Sequence, residues 1–72
     1  MSDTELKAVI LNVASEFTGK VEVNKHLNYV AVGDFYIQGE EAFKLIEEIE
    51  QLSEKMGISI EAAAIFTVDN LM

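Results

Sequence analysis

Residues 21–37 read Val21-Glu22-Val23-Asn24-Lys25-His26-Leu27-Asn28-Tyr29-Val30-Ala31-Val32-Gly33-Asp34-Phe35-Tyr36-Ile37, and this stretch decides the fold. Val21-Glu22-Val23 alternates apolar and polar with the period of a strand. Asn24 to Asn28 is rich in turn formers, and Tyr29 to Val32 resumes with β-branched and aromatic residues. The pattern predicts a hairpin. Gly33-Asp34 then serves either as a two-residue loop into a further strand, Phe35-Tyr36-Ile37, or as a bulge in one long strand; three short strands are the expectation.

On the N-terminal side, Ser2-Asp3-Thr4-Glu5 has the form of a capping box, in which the Ser side chain accepts from an orphan amide and acids suit the positive helix start. A helix is expected from about Asp3 to Phe17, with Leu6, Val9, Ile10, Val13 and Phe17 on one face and Thr18-Gly19 as the stop, the glycine taking a left-handed conformation. On the C-terminal side, Gly39 caps a second helix from about Glu40 to Met56 with Leu45, Ile46, Ile49, Leu52 and Met56 inward, ended by Gly57. Ser59 caps a third, from about Ile60 to the C-terminus, with Ile60, Ala64, Val68 and Leu71 inward. The expected class is α+β: a single acidic domain over 1–72, ordered α-β-β-(β)-α-α, with an antiparallel two- or three-stranded hairpin or meander packed against helices.

Composition narrows the rest. The chain has 72 residues, 13 Asp and Glu against 5 Lys and a formal charge of −8, with no Cys and no Pro. Without cysteine there is no disulfide framework, zinc finger or thiolate nucleophile. No uncharged stretch approaches the roughly 20 apolar residues of a membrane helix, and no basic n-region marks a signal peptide. The expectation is a protein of the cytoplasm, or of the host cytoplasm if viral, with no membrane partner. Domains below about 70–80 residues rarely gain more than about 3–5 kcal/mol from one core, so a homodimer is expected as the supplement.

A helix turns about 100° per residue, and on that geometry each helix carries an apolar residue off its inner stripe. On the first it is Leu11; on the second Phe43, which projects near Glu47, Glu50 and Glu54; on the third Phe66, with Ile65 also displaced. Either these aromatics fold over neighbouring elements, Phe43 onto the hairpin and Phe66 into a gap left by alanines, or they anchor an interface. Leu11, Phe43, Ile65 and Phe66 are therefore the candidate interface. Charge is uneven too, with a net of −2 over residues 1–39 and −6 over 40–72. Glu47, Glu50 and Glu54 crowd one stripe at spacings that slightly disfavour a helix, which points to a basic protein partner as the alternative to a merely solvated face.

Catalytic chemistry has few candidates. His26, the one histidine, falls in the turn with no nucleophile beside it. Adjacent pairs such as Glu40-Glu41 and Glu47-Glu48 diverge on a helix, and Glu50 with Glu54 lacks the loop of oxygens calcium requires. The glycines at 19, 33, 39 and 57 stand at element ends and form no phosphate-binding loop. No catalytic residue, metal or cofactor is expected.

The segment from Leu52 to Ala64 resembles a helix-turn-helix, with small Ser53, Gly57 four residues on, and Ile58-Ser59 before a second helix. A recognition helix would present Arg, Lys, Asn or Gln to bases, whereas this one offers Ser59, Ile60, Glu61, Ala64 and Ile65 in a chain without arginine. At −8, phosphates would repel it, so direct nucleic-acid binding is not expected and the motif reads as a packing connection. Two functions follow as expectations. The first is a non-enzymatic, self-associating protein-protein interaction module. The second is an acidic nucleic-acid mimic that inhibits a DNA- or RNA-binding or host-defence protein, as small phage proteins do, its carboxylates occupying a basic groove.

Overall fold

A computed structural model describes residues 2–71. The order is α1 (Asp3–Glu16), β1 (Val21–Asn24), β2 (Tyr29–Val32), β3 (Phe35–Gln38), α2 (Glu40–Met56) and α3 (Ile60–Leu71). The expected α+β class and the three-strand reading both hold. The expectation that α3 reaches the chain end at Met72 lies outside the described residues.

Ser2 caps α1 as its residue type requires: its Oγ accepts from the Glu5 amide at 3.2 Å. The end of α1 differs from expectation. It stops at Glu16 because Phe17 turns extended, and Gly19 is not left-handed. The ring of Phe17 swings onto the backbone of Gly19 and Gly33 instead, so packing, not a glycine cap, terminates the helix.

The sheet is an antiparallel meander ordered β1-β2-β3. Asn24 Oδ1 accepts from the Leu27 amide at 2.9 Å and Asn28 takes a left-handed φ of 50°, closing the first turn with side chains suited to it. Val32 pairs with Phe35, so Gly33-Asp34 is a two-residue hairpin loop, its glycine at φ 59° where a β-carbon would be strained. Register sorts the faces. Val21, Val23, Val30, Val32, Phe35 and Ile37 point to the helices. Glu22, Ala31 and Tyr36 form a row on the opposite face.

The helices cover one face of the sheet. From α2, Ala42, Leu45, Ile46, Ile49 and Met56 are buried, close to the expected stripe, with Leu52 half-buried. Burying Ile46 and Ile49 stabilises the fold by about 1.5–3 kcal/mol each relative to exposure. The centre of the molecule is α3, which packs on α1, α2, β1 and β2. Ala62, Ala63, Ala64, Ile65 and Val68 are all buried, because a helix with neighbours on several sides has no free face through its middle. Two expectations fail at the ends of this packing. Leu71 is exposed at the edge of an open depression that it shares with Ile37 and Leu45. Val9 is exposed because α1 rests mainly on α3, along a narrow line of Leu6, Ile10, Val13, Ala14 and Phe17, of which only Ile10 is fully buried.

The segment resembling a helix-turn-helix is a fastened hairpin. Ser53 Oγ donates to the Ile58 carbonyl at 2.6 Å while the Ser53 carbonyl accepts from the amides of Gly57 and Ile58. Gly57 is left-handed at φ 65°, and Ser59 Oγ accepts from the Ala62 amide to start α3.

Candidate functional site

The sequence-derived candidates separate in the structure. Ile65 is 8 % exposed and belongs to the buried cluster, so it does not stand off the core as its place on the helix suggested; the neighbours packed around α3 bury most of it. Phe66, on the same helix, is half-buried. Leu11 is exposed on α1, beside the narrow line that contacts α3. Phe43 is 45 % exposed on α2, which places it between the two readings, partly covered and partly free.

Around Phe43 the structure gathers a surface. The Asn28 carbonyl accepts from the Gly39 amide at the start of α2, and Lys25 Nζ lies 3.4 Å from Glu50 three turns along. These two ties lay the β1–β2 turn along one side of α2. Phe43 and Glu50 are seven residues apart and so share that side, together with Glu47 and Glu54. The turn contributes Leu27, the most exposed large hydrophobic among the described residues. Composition gave no sign of Leu27 as a surface residue. Its signal was positional: a large apolar residue in a run of turn formers has no strand neighbour to bury it.

Electrostatics on this side are one-sided. Among the described residues Lys25–Glu50 is the one ion pair, and Glu47 and Glu54 are exposed carboxylates beside it. His26 sits in the same turn, exposed. Among the described residues no group of three or more His, Cys, Asp or Glu is arranged to hold a metal ion, and no helix is long and apolar enough to cross a membrane.

Sequence reasoning also missed a feature of the outer sheet face. Tyr29 and Tyr36 stack there with ring centroids 5.9 Å apart, Tyr29 Oη donating to Glu22 and Tyr36 Oη to Gln38. The hydrogen bond to the Glu22 carboxylate pushes the Tyr29 phenol pKa above its ordinary value, with desolvation adding to the effect. Period-two alternation could have placed both rings outward, but their pairing depends on strand register. No family model, curated protein or solved structure matches this chain.

Proposed function

We propose that this chain works by binding, as a small acidic module that docks a basic protein partner on the side of α2 flanked by the β1–β2 turn. One observation carries the reading: Phe43 is exposed on the side of α2 that carries Glu47, Glu50 and Glu54, Leu27 is exposed in the turn that Lys25 ties to Glu50, and among the described residues Lys25–Glu50 is the one ion pair. Two apolar anchors next to unneutralised carboxylates match a partner presenting apolar residues among Lys or Arg, with charge speeding the encounter and apolar contact holding the complex. Self-association through this side would bring Glu47 and Glu54 of two copies together, so a foreign cationic surface fits it better than a second copy does. The mimic reading rests on the same stripe, since carboxylates repeated along a rigid helix can occupy a groove built for phosphates.

The test is capture of partners from a cell extract by wild type and by Phe43→Ser, Leu27→Ser and Glu47→Lys/Glu54→Lys variants, each checked for unchanged circular dichroism, with solution mass from light scattering. The expected result is a monomer that retains a basic protein, released by salt and lost in both kinds of variant. A partner that all variants bind equally overturns the reading. Displacement by duplex DNA would select the mimic over the general module.

A further inference from the structure

A second surface lies at the opposite end of the sheet from the β1–β2 turn. Between the C-terminal half of α1 and α3 opens a cleft of about 300 Å³ floored by Val13, Phe17, Val32, Ile65 and Val68. Phe17 and Val32 also line a second depression with Gly19, Gly33 and Phe35, so the cleft and the depression share these two side chains. The rim is acidic: Glu16 and Asp69 border the cleft and Asp34 the depression. All three are exposed, and none forms an ion pair among the described residues. The nearest cation along the chain is Lys20, whose carbonyl accepts from the Gly33 amide.

We infer that this groove seats a basic, apolar-anchored peptide segment of a partner protein, a large aliphatic or aromatic side chain entering beside Phe17 and flanking Lys or Arg side chains meeting Glu16, Asp69 and Asp34. The groove's size is at the lower end of pockets that take ligands, about 300–1,000 Å³, which suits one or two side chains of a docking segment. Charge selects the occupant. A second copy of this chain, at −8, would bring carboxylates to carboxylates, whereas a cationic segment supplies the counter-charges the rim lacks. An amphipathic segment laid in an apolar groove is a standard mode of peptide recognition. This inference deepens the proposed function and rests on its premise that the partner is basic, but it uses different residues.

The probe is a synthetic amphipathic peptide of leucines and lysines, titrated into the isotope-labelled protein and followed by amide chemical shifts, beside one version with Ser for Leu and another with Glu for Lys. The expected result is perturbation centred on Val13, Phe17, Ile65 and Val68, with both altered peptides at least about tenfold weaker. A Glu16→Gln/Asp69→Asn variant, changed only at exposed positions, is expected to weaken the leucine-lysine peptide about three- to tenfold and flatten its salt dependence. Equal binding of the Ser peptide, or no binding of the Leu peptide, overturns the groove. Shifts confined to Leu27, Phe43, Glu47 and Glu54 also overturn it while leaving the α2 reading standing. The converse pattern, groove shifts alongside partner capture that ignores the α2 variants, removes the α2 reading alone. An alkylammonium ion that binds the groove as tightly as the peptide would make it a small-amphiphile site and not a docking surface.

Discussion

The ring of Phe17 lies so close to the backbone of Gly19 that a β-carbon at position 19 would come within 2.7 Å of Phe17 Cζ, and within 3.2 Å of Gly33 Cα behind it. This contact ends α1 and sets the β2–β3 loop against it, and the same ring lines both acid-rimmed hollows.

Gly19→Ala is therefore expected to destabilise the protein by about 1–3 kcal/mol, as overpacking does where the obstructing atoms include backbone. Phe17→Leu shortens the side chain that the new methyl would strike. Denaturant unfolding of both single variants and the double should give a double-variant loss smaller than the sum. Additive losses would mean that the two residues do not share this contact.

Ile49 is fully buried where α2 meets the core. Ile49→Ala is expected to cost about 2–5 kcal/mol, comparable to what a core of this size supplies in total, and to leave much of the chain unfolded at room temperature. Ile49→Val, costing about 0.5–1.5 kcal/mol, should still melt cooperatively. Thermal melts by circular dichroism distinguish the two.

Ser53→Ala removes the hydroxyl that donates to the Ile58 carbonyl across the α2–α3 turn. The expected loss is about 1 kcal/mol, the worth of one hydrogen bond with a partly buried acceptor. Hydrogen exchange should show the loss as faster opening of the Gly57 and Ile58 amides, both bonded to the Ser53 carbonyl. Unchanged exchange at both would show that the hydroxyl does not hold the turn.

The hydrogen bond from Tyr29 to Glu22 predicts a pH dependence with a definite sign. The folded-state pKa of Tyr29 is raised above 10.0, so the stabilisation linked to its proton is fully present below that value and is lost as pH rises through the elevated one. In a Tyr36→Phe background, ultraviolet tyrosinate absorbance should appear at lower pH in Glu22→Gln than with Glu22 intact. An identical titration would remove the carboxylate as the cause.

The elements themselves were legible because each rests on local chemistry. The Ser2 cap, the period-two runs at Val21–Val23 and Tyr29–Val32, the Gly33-Asp34 loop and the stripe from Leu45 to Met56 depend only on residues near in the chain. Phe43 beside its glutamates was legible for the same reason, since helical spacing alone puts them on one side. Ile65 was misread because a helical wheel supposes a single buried face, and α3, with three alanines allowing close approach, is packed from several directions. Val9 and Leu71 failed in the other direction: both lie at the edge of the packing and stay exposed.

Local chemistry was enough for the order of helices and strands, the alternation of the sheet and the concentration of negative charge in the second half, because propensity, period and formal charge are properties of short segments. Folding as a whole ties the β1–β2 turn to α2 through Asn28–Gly39 and Lys25–Glu50, stacks Tyr29 on Tyr36, and brings Glu16, Asp69 and Asp34 to hollows that share Phe17 and Val32. The acidic residues are far apart in the chain and the two tyrosines meet across a hairpin, so these contacts depend on strand register and on the angles at which the helices dock. Both are set by the summed packing of the whole core and not by any local signal.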